Sequence, residues 1–441
     1  MNIRQSSVKL LVICLSLLML LTALFPTVYA SVDQSLLPSG YQRTGEYTYS
    51  ALGGITERHF SVNNSFGTDQ IQCSVLEVDF SEPSLSLVAS YNNGNTKKWN
   101  TTTLLEQAKT FEQQRGVTVV GGINADFFVP NKKTIEPYGR PKGALVMDGT
   151  VIRKTAWNRA FFAVTKNGEF EIRTPGSSMG NVQQAVGGGI ILVKDGVNTS
   201  KNCKVNRLHR SEDTEIHPRS AIGIKADNTL VFFVADGRQA PYSSGMTLEQ
   251  VADAMIALGC VDALELDGGS SSTLVSRQET DNELKIRNSC CYNGEGGRPI
   301  GSTLLICSTV NPTGVFDHAV FAQSSYYLMP GETVNLDVSG ADENGYATEL
   351  PEGGGFKLTD ETYGVLTGNC FIAADQIGTV TVNYLIGDEV YGSATIEIAE
   401  EIAYETPSNS NNNKTFANRF LSFINSIVDF FNNLFRSVAH C

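Results

Sequence analysis

The chain has 441 residues, with 33 basic and 46 acidic side chains and a formal net charge of −13 at pH 7. An acidic chain without a basic run repels phosphate backbones, so we expect no nucleic-acid partner. The length is enough for two or three domains.

The N-terminus carries an export pattern. Arg4 and Lys9 flank the start of an apolar run over residues 10–25, and small residues at Val28 and Ala30 precede Ser31. This pattern predicts a secretory signal peptide over residues 1–30. The apolar run is shorter than the ~20 residues that a membrane span needs. We therefore expect a secreted or cell-surface-associated protein.

The next segments predict an α+β catalytic domain. Residues 31–68 are polar and are predicted to be a lead-in segment, whereas residues 69–310 alternate β-rich runs with glycine turns. The stretch AVTKNGEFEI has the Asn-Gly signal of a hairpin. Helices are predicted at 102–115 and 247–258, the second with a capping box from Thr247 and Gln250. We expect mixed sheets and few helices.

The C-terminal third changes character. Residues 311–400 alternate without helical periodicity, which predicts an all-β sandwich that is dispensable for chemistry. The stretch MPGETVNLDVSGADENG resembles the opening of bacterial immunoglobulin-like modules. A polar linker is predicted at 401–415 and a C-terminal amphipathic helix at 416–441. That helix has three alternative roles: contact with a membrane surface, self-association, or docking on the enzyme itself.

One loop has the composition of a ligand site. In LELDGGSSSTLV, residues 264–275, strand alternation places Glu265 and Asp267 on one face. The glycines permit close backbone approach, and successive N–H groups can form an anion nest. The alternative is an ordinary tight turn with a solvated aspartate. The candidate binding residues here are Gly268, Gly269, Ser270 and Ser271.

Other polar residues also stand at the ends of apolar strands, where sites are often built on loops. Asn124 and Asp126 follow one such strand, and Asp236 follows another. An arginine fork matches phosphate or carboxylate, although a single arginine is more often a surface ion-pair partner. The candidate arginines are Arg219, Arg238 and Arg298.

Taken in order, these motifs resemble the phosphodiester glycosidase family. They are N-x-D-F-F, G-x-x-x-x-D-G, H-P-R-S-A-I-G, D-G-R, L-D-G-G-S-S-S-T and G-R-P-x-x-x-x-L-L, spread over about residues 76–308. Ser270 stands where that family usually has a third glycine. The resemblance implies hydrolysis of the C1–O bond of a sugar-1-phosphodiester, without a cofactor. The partner is then a phosphodiester-linked glycan or a nucleotide-sugar-like substrate.

The resemblance also implies roles for the candidate residues. A carboxylate is needed beside an oxocarbenium-like transition state, with Asp267 as the first choice, then Asp126, Asp236 and Glu265. The three arginines and the glycine-loop N–H groups hold the leaving phosphate. Asn124 is expected to hold a sugar hydroxyl.

Two alternatives remain open. One is a non-catalytic envelope or exopolysaccharide-binding protein on the same fold. The other is a metal-dependent phosphodiesterase that cuts the P–O bond, because aspartates can bind a hard cation. The five histidines are scattered along the chain, so we predict no histidine metal site.

Overall fold

The computed structural model describes residues 41–64, 70–92, 98–133, 135–202, 205–206, 208 and 211–399. The predicted signal peptide, linker and amphipathic helix lie outside these residues. No helix in the described part of the chain is both long enough and apolar enough to cross a membrane.

We call residues 41–308 the front part of the chain and residues 311–399 the C-terminal part. Both helices predicted for the front part are present. Helix α1 is Leu104–Arg115, capped by Thr103 with a capping box to Glu106. Helix α2 is Leu248–Ala257, and the predicted capping box between Thr247 and Gln250 is formed. Each box satisfies N–H groups that the helix itself leaves unpaired, so local sequence determines where both helices begin.

The front part contains eighteen strands among the described residues. They are β1 Tyr41–Ala51, β2 Ile55–Asn64, β3 Gln70–Val78, β4 Leu85–Tyr91, β5 Thr118–Asn124, β6 Leu145–Met147, β7 Thr150–Arg153, β8 Phe161–Thr165, β9 Phe170–Arg173, β10 Val182–Gly187, β11 Ile191–Lys194, β12 Val197–Asn198, β13 Arg219–Lys225, β14 Leu230–Ala235, β15 Cys260–Glu265, β16 Leu274–Ser276, β17 Lys285–Ile286 and β18 Ser302–Ser308. The predicted Asn-Gly hairpin is the β8–β9 pair.

These strands form three sheets around one shared core. The order is β1-β2-β3-β14-β13-β15-β11-β12 in the largest sheet, β7-β6-β10-β8-β9 in the second and β17-β16-β5-β18-β4 in the third. Leu76, Phe162 and Leu304, one from each sheet, belong to the same buried cluster. Helix α2 covers the other face of the largest sheet, and α1 packs beside the third.

Two expectations for the front part need correction. The sheets are not mixed, because every described strand pair from β1 to β18 is antiparallel. Antiparallel neighbours need only short turns, and the chain supplies glycine turns instead of helical crossovers. The described part of the predicted lead-in is not separate either, since β1 and β2 pair onto β3.

The C-terminal part is all-β in the described residues. Its strands are β19 His318–Phe321, β20 Ser325–Leu328, β21 Thr333–Asn335, β22 Val338–Ala341, β23 Ala347–Thr348, β24 Gly354–Leu358, β25 Gly364–Thr367, β26 Cys370–Ala373, β27 Gly378–Ile386 and β28 Glu389–Ile398. They form three small sheets around a core of their own. The immunoglobulin-like assignment stays a prediction.

A tyrosine joins the C-terminal part to the front part. Tyr346 packs against the shared core of the front sheets, and its hydroxyl donates to Val310 O at 2.9 Å. The N–H of Thr280 donates to Gly345 O at 2.8 Å beside it. The two parts are therefore packed together, and the predicted dispensability of the β region for chemistry stays untested.

Removing the Tyr346 ring will destabilise the protein. We expect Tyr346→Ala to lower the free energy of unfolding by ~2 kcal/mol, because it removes a half-buried aromatic ring. Tyr346→Phe will cost ~1 kcal/mol through the lost hydrogen bond. Chemical denaturation measures both, with Tyr327→Ala at an exposed position as the control. A Tyr346→Ala variant as stable as the control contradicts the packing role.

Candidate functional site

Strand ends from two sheets meet at one edge of the front part. Strand β5 ends at Asn124 in the third sheet, while β15 ends at Glu265 in the largest. The N–H of Asp267 donates to Ala125 O at 2.9 Å, which joins the two strand ends directly. Asp126 and Asp267, 141 positions apart in the chain, therefore flank the same backbone hydrogen bond.

The amide of Asn124 braces this junction. Its Nδ2 donates to Asp267 O at 2.6 Å, and its Oδ1 accepts from Ser220 Oγ at 2.9 Å and from the N–H of Thr273 at 3.1 Å. The side chain is only 1% exposed. We expected Asn124 to hold a sugar hydroxyl, whereas its amide forms three hydrogen bonds within the protein, two with the loop that carries Asp267 and one with Ser220. It is a positioning residue for the Asp267 loop.

Asp126 is a buried carboxyl with one unpaired oxygen. Its Oδ2 accepts from the N–H of Gly143 at 2.5 Å, whereas Oδ1 is buried without a hydrogen-bond partner. Burial raises the pKa of Asp126 to about 7, against the opposing charge of Arg159. The nearby charge of Asp267 raises this pKa further. Burial therefore favours the protonated form of Asp126 far more than in a free carboxyl.

Asp267 is half-buried and has a different set of neighbours. Ser271 forms a hydrogen bond with its carboxylate, and the Ser271 Oγ accepts from Arg298 Nη1 at 2.9 Å. Burial raises the pKa of Asp267 to about 6, while Ser271 and the charge of Arg298 oppose that rise. The groups that oppose the effect of burial thus differ from those at Asp126, where Arg159 and a backbone N–H play that part.

Asp236 is occupied by structural contacts. Its Oδ1 accepts from Asn288 Nδ2 at 2.8 Å, and its Oδ2 accepts from the N–H of Ser289 at 2.9 Å and from Tyr242 Oη at 3.3 Å. Burial raises its pKa, and these hydrogen bonds oppose the rise. Because both oxygens already accept, Asp236 anchors the segment around residue 288 to the end of β14.

Glu265 is the last residue of β15. Its Oε2 accepts from the N–H of Ile190 at 3.1 Å, and the side chain is 2% exposed. A Cβ placed on Gly189 would lie only 1.9 Å from that oxygen, so the glycine makes room for the carboxylate. Glu265 adds a like charge near Asp267, which contributes to the raised pKa of Asp267.

The three candidate arginines have three different environments. Arg219 is buried, and its Nε and Nη2 donate to Met246 O at 2.9 Å and to Glu215 O at 2.6 Å. Arg238 is exposed, with its guanidinium within 3.3 Å of the position that a Cβ on Gly269 would take. Arg298 lies over the Phe128 ring at 5.0 Å. Arg238 and Arg298 therefore flank the glycine loop, whereas Arg219 supports the backbone.

The glycine loop makes a single tight 3-10 turn over Gly269–Ser271. The N–H of Gly269 donates to Pro218 O at 2.8 Å, so it is not open to a ligand. Gly268 has no room for a side chain, because a Cβ there would lie 2.8 Å from the same carbonyl. Ser270 is half-buried on the outer side of the turn. The predicted anion nest consisted of the N–H groups of this loop, and those of Gly268 and Ser270 are the ones left to bind a ligand.

Sequence reasoning missed the residues around Asp126. Arg159 lies over the Phe127 ring at 4.6 Å and donates to Gly188 O at 3.1 Å. Gly143 and Gly187 pack directly against the Asp126 carboxyl. A Cβ on Gly187 would lie only 2.8 Å from Asp126 Oδ2. The sequence did contain a signal for Arg159, because this residue directly precedes the apolar strand β8. The same position before an apolar strand made Arg219 and Arg298 candidates.

Among the described residues, no group of three or more His, Cys, Asp or Glu side chains is arranged to hold a metal ion. The absence of a cofactor stays a prediction.

Residues 117–307 match the family model for phosphodiester glycosidases. The matched range runs from the start of β5 almost to the end of β18 and includes Asp126, Asp236, Asp267 and Arg298. The resemblance that the motifs indicated is thus confirmed for this range, which is less than half of the chain.

Individual proteins match more distantly. A SPbeta prophage-derived uncharacterized protein, YomE of Bacillus subtilis (strain 168), is 40% identical over 84 residues, which are 19% of this chain and 12% of that protein. The catalytic domain of zebrafish N-acetylglucosamine-1-phosphodiester alpha-N-acetylglucosaminidase, auto-inhibited by its pro-peptide, is 19% identical with a TM-score of 0.46 over 64% of this chain and 94% of that one. A hypothetical protein from Synechocystis is 16% identical with a TM-score of 0.43 over 62% and 69%.

A methyl group on Gly187 will disturb the Asp126 environment. We expect Gly187→Ala to cost about 1–3 kcal/mol of stability, because its Cβ would press on Asp126 and on the Cα of Gly143. Gly180→Ala is the matched control, since its Cβ meets only Ser178 Oγ at 3.5 Å. Chemical denaturation compares the two variants. Equal stability of the two would show that the Gly187 site can relax.

Proposed function

We propose that the domain hydrolyses the C1–O glycosidic bond of a sugar-1-phosphodiester and releases a free sugar and a phosphomonoester. The observation that carries this proposal is the pair of carboxyls, Asp126 and Asp267, that the hydrogen bond from the Asp267 N–H to Ala125 O holds at one strand junction, where burial raises the pKa of both. Two carboxyls whose environments separate their proton affinities are typical of an acid and its partner base or nucleophile. The family match over residues 117–307 supports the same reaction class.

Asp267 is the carboxylate that acts at C1. It ionises first, and its half-buried side chain is more accessible than that of Asp126. As the anion it either attacks C1 or takes a proton from the water that does. In the overall reaction the C1–O bond breaks, its electron pair stays on the phosphate oxygen, and water supplies the hydroxyl of the released sugar.

Asp126 is the proton donor in this proposal. Its pKa of about 7 lies close to the second pKa, ~6, of the phosphomonoester that is released. A donor and an acceptor of similar pKa exchange a proton readily in a transition state. The phosphate leaving group already carries a charge, so this proton transfer contributes less than it would for an alcohol.

Arg238 and Arg298 are the cations that hold the phosphate. They flank the turn at Gly269, and Arg298 also reaches Asp267 through Ser271. A guanidinium fork suits the oxygens of a phosphate, and its charge stabilises the phosphomonoester dianion as it forms. Arg219 stays a positioning residue because its guanidinium holds two backbone carbonyls.

We also propose that this activity is exported. The support is the predicted signal peptide over residues 1–30. Fractionation of cells that produce the full chain tests this proposal, with a secreted or surface-associated product as the expected result.

The pH dependence of kcat/KM tests the carboxyl pair. Activity requires ionised Asp267 and protonated Asp126, so the profile will fall below about pH 6 and above about pH 7. These limits describe the pair as a whole, since the two groups interact. Asp126→Asn will lose the alkaline limb and reduce the rate about 10²-fold. Asp267→Asn will abolish turnover of UDP-N-acetylglucosamine and other sugar-1-phosphodiesters.

Product analysis separates this reaction from its alternatives. A free sugar with a phosphomonoester supports the proposal, whereas a sugar phosphate indicates P–O cleavage. Full activity in folded Asp267→Asn or Arg298→Ala protein removes the assigned roles. Binding of these substrates without any released sugar supports a non-catalytic protein.

Arg159 sets the alkaline limit of activity. Its positive charge lowers the pKa of Asp126, so Arg159→Met will raise that pKa and move the alkaline limb to higher pH. Arg173→Met is the control, because Arg173 pairs with Glu171 on β9 and is not among the groups that shift Asp126. An unchanged alkaline limb in Arg159→Met contradicts the assignment of that limb to Asp126.

A further inference from the structure

A cavity of about 380 Å³ lies between the front part and the C-terminal β region. The segment 278–281 forms one wall and strand β19 forms another, with Tyr49 of β1 and Ser339 of β22 beside them. Neither Asp126 nor Asp267 lines this space. Its volume falls within the ~300–1,000 Å³ that is usual for small-molecule sites.

The lining is rich in hydroxyl groups. A hydroxyl both donates and accepts hydrogen bonds, which suits a ligand that is itself built of hydroxyls. No lysine or arginine lines the cavity, so a phosphate or carboxylate ligand would find no cation apart from His318. The six residues with a hydroxyl are Tyr49, Ser50, Thr280, Ser324, Ser339 and Ser393. Two of these hydroxyls already donate within the protein, Ser324 to Thr48 O and Ser393 to Asn383 Oδ1, and can only accept from a ligand.

The carboxylates of the lining are mostly paired already. Asp281 forms ion pairs with Lys285 and Arg287. Glu279 Oε2 lies 3.7 Å from His318 Nε2. A cationic ligand would therefore form an ion pair mainly with Asp337, whose carboxylate is exposed. One exposed ion pair is too weak to make the cavity prefer an amine over a neutral polar molecule.

Apolar atoms and a strained backbone complete the wall. Val320 of β19 is half-buried and offers carbon atoms that suit the C–H face of a sugar ring, whereas Ala319 and Phe321 on the other face of the strand belong to the core of the β region. Thr280 has φ +65° although it is β-branched, and its N–H is held by Gly345 O at 2.8 Å. A β-branched residue rarely adopts this conformation, and such strain clusters at ligand sites.

We propose that this cavity binds a neutral carbohydrate, separately from the site at Asp126 and Asp267. Hydroxyls and the free carboxylate of Asp337 form hydrogen bonds with sugar hydroxyls, and the β19 face contacts the ring.

Direct binding to the full chain carrying Asp267→Asn tests the proposal, because this variant excludes turnover and makes the result independent of the proposed reaction. The probes are the tetrasaccharides of N-acetylglucosamine, glucose and mannose, measured by calorimetry and by saturation-transfer NMR. We expect at least one to bind. Ser339→Trp fills the cavity and will weaken that binding about tenfold or more.

Two further variants control for folding and bulk. Thr367→Trp adds the same ring at an exposed strand position outside the cavity, and will leave the affinity unchanged. Asp337→Asn nearly keeps the shape of the side chain and will weaken binding several-fold even if Ser339→Trp fails to fold. The proposal is overturned if no tetrasaccharide binds at millimolar concentration, or if binding is unaffected by Ser339→Trp and Asp337→Asn. Displacement of a bound tetrasaccharide by spermidine or inorganic phosphate also overturns it.

Discussion

The site depends on the buried amide of Asn124. Two segments that are remote from Asn124 in the chain form three hydrogen bonds with this one side chain, one through Ser220 and two through the loop with Asp267 and Thr273. In an interior of low dielectric, each of these hydrogen bonds is strong and costly to leave unmade. The amide therefore fixes the loop that carries Asp267 relative to the strand that precedes Asp126, and the two carboxyls are placed by backbone contacts.

Burial then separates the two carboxyls chemically. Desolvation is the largest effect on both and raises both pKa values, but the groups that oppose it differ. Asp126 has Arg159 and a single N–H from Gly143, with one oxygen unpaired. Asp267 has Ser271 backed by Arg298. The two charges also repel each other, which raises the pKa of Asp126 further and favours retention of a proton by the pair.

The remaining polar residues at this edge serve the architecture. Asp236, Glu265 and Arg219 bind backbone or side-chain partners. These three residues are carboxylates or arginines at strand ends. Asp126, Asp267 and Arg298 are of the same residue types and lie in the same kind of position. What distinguishes the two sets is whether protein atoms already satisfy their polar groups, and that depends on segments far away in the chain.

Local features of the sequence determined the two helices and the β8–β9 hairpin, because a capping box or an Asn-Gly turn acts within a few residues. The order of motifs also located the strand ends that carry the site. The tertiary structure decided the rest. It made the front sheets antiparallel, drew β1 and β2 into them, and brought Arg159 and Gly187 to Asp126. The contact between Asn124 and Asp267 spans 143 residues, and a contact of that separation is set by the packing of whole sheets, which no local pattern records.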